Sequence, residues 1–324
     1  MNFQEYKFAR EKILAECSPL RLDCMNPFKA MSYLKDNREC STVHCAQETT
    51  DLLLSSLHAE HYRSLAIPTR GVRSSLNGLF EIISQQGSDL WLPEDVYPFY
   101  WECANSHHLN PRSFCTLPSP DFSFLESTSP HSVVLLTNPI SPLGRSLSEE
   151  EGKEIVNWLS QSDGRRIILD TVYSYALHID PISQKLYETG QCFITHSLSK
   201  AWLERGIFGV LLTPETDYDT CLRLIEAPQQ VECNSAHHAL TSSADMPRLQ
   251  QRAFSDEWNS LSSSIKNFHP SFNVPTLGYF SFINVNFTDV LNSYNALLIP
   301  ASVFGSCNPN LSIATCLFNI PNRQ

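Results

Sequence analysis

Five short apolar runs recur through the middle of the chain: Leu90-Trp91-Leu92, Val133 to Leu136, Ile167 to Leu169, Phe193-Ile194 and Val210 to Leu212. Runs this short, without polar residues alternating inside them, suit strands buried on both faces of a largely parallel sheet. Amphipathic stretches lie between them. Leu76, Leu79, Phe80 and Ile83 repeat at the spacing of one helix face, in a helix that opens near Gly71. Ser148 followed three residues later by Glu151 is a capping-box pattern, and it predicts a helix running through Trp158-Leu159. Strands and helices in alternation predict an α/β domain whose sheet is sandwiched by helices.

The two ends read differently. Residues 3 to 16 predict one helix, and Phe254, Trp258, Leu261 and Ile265 mark another. Phe280 to Phe287 alternates as a half-exposed strand does, and Leu297-Leu298-Ile299 stands before Pro300. The expected layout is a large domain over residues 42–230 and a small α+β domain assembled from residues 1–41 and 231–324. A chain of 324 residues is long enough for two such units.

Composition narrows the function classes. Lys and Arg number 23 against 34 Asp and Glu, a net charge of −11, which argues against a general nucleic-acid binder. An anionic ligand must therefore be held by a local arrangement of donors. No stretch approaches the roughly 20 apolar residues of a membrane span, and the N-terminal segment has no signal-peptide core. The 11 cysteines are scattered with no C-x-x-C pair, which predicts reduced thiols in a cytoplasmic protein and no metal site. His107-His108 and His237-His238 form no H-E-x-x-H, so surface or satisfied histidines are expected there.

Three segments follow three of the predicted strands: Asn138-Pro139-Ile140-Ser141-Pro142-Leu143-Gly144, Asp170-Thr171-Val172-Tyr173 and Ser197-Leu198-Ser199-Lys200. The C-terminal edge of an open α/β sheet is where ligands bind, so an Asp, a Tyr and a Lys can converge there. Taken alone, Asp170 also reads as a loop cap and Tyr173 as a core aromatic. The S-x-x-K of serine acylases needs S-D-N and K-T-G partners, and the chain has neither.

Taken together, the three segments resemble the class I/II aminotransferases, fold type I enzymes that depend on pyridoxal 5′-phosphate. The family pattern is N-P-x-x-P-x-G, then D-x-x-Y, then S-x-S-K, and the likeness runs from about Pro68 to Pro214, more loosely to Phe304-Gly305. The resemblance implies that Lys200 forms a Schiff base with the cofactor aldehyde and then moves the α-proton. Asp170 would pair with the pyridinium nitrogen, and Tyr173 would donate to the phenolate oxygen. Ser197 and Ser199 flank the lysine at hydrogen-bonding reach of a phosphate. Gly71, Val72 and Arg73 open a helix, whose N–H groups and dipole favour an anion. The likeness places Tyr97 on the face of the ring and adds Asn138 and Ser141 from the first segment. It also implies a homodimer acting on a small amino compound.

Three positions depart from the family pattern. Ser141 stands where most relatives carry Asn. Ile207-Phe208-Gly209 takes the register of the phosphate-binding arginine, with Arg205 close by as a substitute and Arg73 as the other candidate. Ser312 falls at or near the place of the arginine that holds the substrate carboxylate, and Arg323 is the only cation beyond it. Either Arg70, Arg73 or a residue of another subunit replaces it, or the substrate is not a standard α-amino acid. The expected reaction is transamination. The alternatives are another reaction of the same cofactor (cyclisation, elimination, decarboxylation or retro-aldol cleavage) and a non-catalytic cofactor-binding or dimerisation protein.

Overall fold

A computed structural model of the chain describes residues 1–31, 43–205 and 207–320. The expected boundary at 41/42 and the cation Arg323 lie outside the described residues.

Strand β1 (Leu20–Arg21) stands apart from the main sheet, which comprises β2 (Ala66–Thr69), β3 (Asp89–Pro93), β4 (Arg112–Phe114), β5 (Ser132–Thr137), β6 (Arg166–Asp170), β7 (Cys192–Ser197) and β8 (Gly209–Leu212). Their order is β2-β8-β7-β6-β5-β3-β4. Strands β3 to β7 run parallel, and β8 runs antiparallel to both its neighbours. All five apolar runs are strands of this sheet. Side chains alternate across a strand, so Val133 and Leu135 enter one hydrophobic core while Val134 and Leu136 enter the other. The first core is filled from helix Gly71–Gln86 by Leu76, Leu79, Phe80 and Ile83, the face marked by their spacing. The second takes Ile155, Trp158 and Leu159 of helix Glu149–Leu159, with Leu53 and Leu54 of helix Ala46–Ser56. Ser148 caps Glu149–Leu159 in a complete capping box.

The two termini meet in space. Strand β1 pairs in parallel with β10 (Ala296–Leu297). Strands β9 (Phe280–Ile283), β11 (Ile299–Pro300) and β12 (Ser312–Thr315) form an antiparallel sheet in the order β11-β12-β9. Helix Phe3–Glu16 is fastened to this part by the buried Tyr6, whose hydroxyl donates to the Leu298 carbonyl at 2.9 Å. Helix Met246–Lys266 buries Phe254, Trp258, Leu261 and Ile265, as their period requires. Helix Gln230–Ser242 packs against Ala46–Ser56, where Thr49 Oγ1 reaches the Cys233 carbonyl.

One element differs from expectation. The strand expected over Phe280 to Phe287 ends at Ile283, and a helix begins at Phe287. Asn286 causes the switch: its side chain accepts hydrogen bonds from the N–H groups of Thr288 and Asp289 and so caps Phe287–Tyr294. Phe280, Ser281 and Ile283 are all buried, so the strand is not half-exposed. Among the described residues no helix is long and apolar enough to cross a membrane, no metal-binding cluster occurs, and the cysteines are free.

Candidate active site

The C-terminal edge of the main sheet opens onto a cavity of about 830 Å³. Its floor is Asp170 and Tyr173, just past β6, with Ser197, Ser199 and Lys200, just past β7. Thr137 pairs with Asp170 and Asp170 with Thr195, so the register of β5, β6 and β7 brings the segments that follow them to one edge.

Lys200 ends the third segment in a short helix, Leu198–Ala201. Ser197 caps that helix, its hydroxyl accepting from the Ser199 N–H at 3.2 Å. Gln250, from helix Met246–Lys266, donates to the carbonyls of Lys200 (3.0 Å) and Ala201 (2.6 Å), fixing the backbone that carries the amine. Burial, then the charge of Arg73, lower the Lys200 pKa from the ordinary lysine value. Its ammonium stands 5.5 Å from the centre of the Phe28 ring.

Asp170 is 1% exposed, and burial pushes its pKa up to about 6 against two hydrogen bonds that favour the charged form. Those bonds come from the Val172 N–H (2.8 Å) and the Tyr100 hydroxyl (2.5 Å). Tyr173 stands edge-on to Tyr279 and Phe280 at 5.9 and 5.7 Å, and burial, then the Asp170 charge, raise its pKa.

At the other end of the cavity, helix Gly71–Gln86 begins with no side chain capping its N–H groups. Gly71 has φ +73°, and a Cβ there would come within 3.3 Å of Ser197 Oγ. Gly209 of β8 passes so close that a Cβ on it would lie 2.9 Å from Gly71 Cα and nearer still to the His196 carbonyl. Two glycines thus press an uncapped helix start against the serines beside Lys200. Arg73 reaches Tyr97 Oη at 3.3 Å and lies over Phe99, while Tyr97, 46% exposed, edges the opening.

Of the expected cofactor ligands, Gly71, Val72, Arg73, Tyr97, Asp170, Tyr173, Ser197, Ser199 and Lys200 line this cavity. Asn138 and Ser141 do not. Asn138 is buried and saturated: its Nδ2 donates to Ser183 and Asp180, and its Oδ1 accepts from the Leu147 N–H. It locks the turn after β5 to helix Pro181–Tyr187 rather than facing a ligand. The Ser141 N–H is tied to Thr137 Oγ1 at 2.9 Å. Arg205 lies exposed in an adjoining groove with Ser199 and Phe28, while Ile207 lines the cavity. Arg70 also lines it, but its guanidinium is paired with Glu232 (2.8 Å) and Glu226 (2.6 Å). Ser312 is fully buried in β12 and donates to the Val285 carbonyl at 2.9 Å.

Several further lining residues stand in no motif of the sequence. Tyr100 stands in the first turn of helix Phe99–Ser106, three residues past Tyr97, and its hydroxyl reaches Asp170 on the floor. Phe3, Tyr6, Lys7 and Arg10 also line the cavity, at i, i+3, i+4 and i+7 of helix Phe3–Glu16. That periodicity is visible in the sequence, and only the fold shows which face of the helix it marks.

The family profile described as aminotransferase class I and II matches residues 29–287. The chain belongs to that family. The match extends beyond the expected Pro68 to Pro214 on both sides and stops short of Phe304-Gly305. No curated protein sequence matches the chain. Among solved structures, the chain is similar to an aspartate aminotransferase from Thermotoga maritima, at TM-score 0.73 and 17% identity, over 97% of this chain and 91% of that one. It is also similar to a pyridoxal-phosphate-bound C–S lyase from Staphylococcus hominis, at TM-score 0.71 and 13% identity, over 92% of this chain and 87% of that one. A putative β-cystathionase from Corynebacterium diphtheriae matches at TM-score 0.70 and 12% identity, over 92% and 88%. The fold is fold type I.

The cofactor of this family is pyridoxal 5′-phosphate, and the cavity fits it. The amine of Lys200 meets the need of an aldehyde, and the buried Asp170 that of a pyridinium nitrogen. The phenol of Tyr173 suits a phenolate oxygen. The uncapped helix start beside Ser197 and Ser199 suits a phosphate.

Proposed function

We propose that the chain moves amino groups between small amino compounds and carbonyl acceptors. The observation that carries this reading is the convergence of Lys200, Asp170, Tyr173 and an uncapped helix start on one cavity. When bound, the cofactor supplies an electron sink for charge developing at the substrate α-carbon. The protein supplies position and proton control. The N–H groups of Gly71, Val72 and Arg73, with the hydroxyl of Ser199, would bind the phosphate, and Ser197, whose hydroxyl donates to the Phe208 carbonyl, holds the Ser199 N–H in place. Asp170 holds the proton on the pyridinium nitrogen, and Tyr100 keeps the Asp170 carboxylate oriented by donating to one of its oxygens. Tyr173 donates to the phenolate oxygen. Lys200, whose lowered pKa leaves more of its amine neutral, takes the proton from the substrate α-carbon and returns it one position away.

The test is direct. The protein is incubated with pyridoxal 5′-phosphate, reduced with borohydride and digested; a pyridoxyl mass is expected on the peptide carrying Lys200. In a separate, unreduced sample of the cofactor-loaded protein, a panel of amino donors added without any acceptor should release pyridoxamine 5′-phosphate, detected by mass. Absence of the Lys200 adduct overturns the reading.

A second reading is favoured by Ser312, which is buried and bonded at or near the place that the resemblance gives to the carboxylate-binding arginine. On that reading the same groups run elimination, cyclisation or cleavage. Product formation without pyridoxamine 5′-phosphate would select it.

A further inference from the structure

The cavity has two charged ends, and only one is accounted for by the cofactor. Arg73 stands at the helix start beside the serines, and Arg70 is neutralised by two glutamates. On the wall built from the chain termini stand two more cations, Lys7 and Arg10. They lie on one face of helix Phe3–Glu16, next to Phe3 and Tyr6. Lys7 is exposed and makes no ion pair among the described residues.

Arg10 is held in a particular way. Its Nε donates to Asp23, whose carboxylate is fully buried and is also gripped by Arg21, with Nε at 2.6 Å and Nη2 at 3.2 Å. Two guanidinium charges therefore meet one carboxylate, which leaves one positive charge, and Lys7 adds a second. Burial disfavours the Arg10 charge, but the Asp23 hydrogen bond and charge outweigh it, so Arg10 stays cationic. Because Arg10 bonds Asp23 through Nε, its two Nη groups make no hydrogen bond within the described residues, and the side chain remains 29% exposed at the cavity. A planar fork held at its base and free at its tip is the geometry that grips a carboxylate with two parallel hydrogen bonds. The same wall carries Phe28, Phe280 and Phe304, which favour an apolar or aromatic side chain on the ligand.

We infer that Arg10, with Lys7 beside it, is the carboxylate anchor of the substrate site, and that the substrate is an amino carboxylate with a bulky apolar side chain. This rests on the reading of the cavity as a cofactor-dependent amino-group site. It moves carboxylate recognition from the strand that carries Ser312 to the N-terminal helix. Asp23 is a positioning residue: it orients Arg10 through Nε and touches no substrate.

The test uses the full chain loaded with pyridoxal 5′-phosphate and two unreactive probes, 3-phenylpropionate and its neutral amide 3-phenylpropanamide, titrated by calorimetry. The acid should bind about tenfold more tightly than the amide, or better. Arg10→Gln should bring the ratio close to one while leaving the Kd of the amide unchanged, since Arg21 still satisfies Asp23. Arg10→Lys keeps a charge but loses the fork, and should give an intermediate ratio; Lys7→Gln should lower the ratio about two- to threefold. A wild-type ratio of one overturns the assignment, and so does a ratio unaltered in both Arg10→Lys and Lys7→Gln, which keeps the test decisive if Arg10→Gln fails to fold. Formation of the Lys200 adduct together with an unaltered ratio sinks the anchor alone, whereas a missing adduct sinks the underlying reading whatever the probes do.

Discussion

The wall of the cavity built from the sheet edge and the wall built from the chain termini hold their charges in opposite ways. On the sheet edge, Lys200 is pushed down, Asp170 up to about 6 and Tyr173 up, each chiefly by burial. On the terminal wall, Lys7 is exposed, and Arg10 keeps its charge through a buried carboxylate partner. A group that must gain and lose a proton, as Lys200 does, needs an environment that brings its two forms close in energy, whereas burial keeps the Tyr173 phenol protonated as a donor. Groups that only recognise an anion need a charge that does not change. Changes on the first wall should therefore act on rate and protonation, and changes on the second on affinity.

The largest effect belongs to Lys200. Lys200→Ala should lower turnover by about 10²–10⁴-fold, the usual worth of a positioned acid–base group, and abolish the borohydride-trapped adduct. Amide-probe affinity should stay near wild type. A variant that lost probe affinity and kept its turnover would dissolve the distinction between the walls.

Asp170 gives the next test, with a definite sign. Its pKa rises from 3.8 unfolded to about 6 folded, so the protein without cofactor is most stable, as far as this group goes, below pH 3.8. That contribution is lost as pH rises through 6. A shift of about two units is worth about 3 kcal/mol. Asp170→Asn should therefore gain about 3 kcal/mol over wild type between pH 4 and pH 7, measured by urea unfolding of the cofactor-free proteins. With cofactor bound, the same variant should be less active. A stability difference independent of pH would mean that Asp170 is not the group whose charge burial opposes.

Ser312 probes the comparison from the other side. It is fully buried, with its hydroxyl on the Val285 carbonyl, so an arginine there would force a long charged side chain into packed surroundings. Ser312→Arg should lower the unfolding free energy by about 3 kcal/mol or more and leave the acid-to-amide ratio unimproved. A raised ratio would return carboxylate recognition to strand β12.

These contrasts also explain what was legible in the sequence. Five of the seven strands of the main sheet are short apolar runs because both their faces are buried, whereas the edge strand β4 exposes Arg112 and Ser113 and carries no such signal. Lys200, Asp170 and Tyr173 stand immediately after such runs, where topology fixes their destination. Asn138 follows the same rule in sequence, yet it faces away, because Asp180 and Ser183, more than 40 residues on, take its two N–H groups while the nearby Leu147 N–H takes its oxygen. Arg10 and Lys7 follow no motif. Their role depends on the parallel pairing of Leu20–Arg21 with Ala296–Leu297, a contact spanning nearly the whole chain. The strand expected to reach Phe287 failed for a local reason, since Asn286 offers its side chain to two N–H groups and starts a helix.

The smallest effect lies at the seam of the two glycines. Ser197 Oγ accepts from the Ser199 N–H, contacts Ser199 Oγ at 3.2 Å and donates to the Phe208 carbonyl just before β8, so it ties the turn that begins the Lys200 helix to the neighbouring strand. Removing an N-cap of this kind costs about 1 kcal/mol. Because the helix has only four residues and Gln250 holds its far end through two carbonyls, Ser197→Ala should leave the fold intact. It should lower stability by about 1 kcal/mol and weaken pyridoxal 5′-phosphate, read as Kd by fluorescence titration, by about tenfold or less. The acid-to-amide ratio on the terminal wall should not move. If it falls with cofactor affinity, the two walls are coupled through the Lys200 turn, and Ser197 would be the residue that joins them.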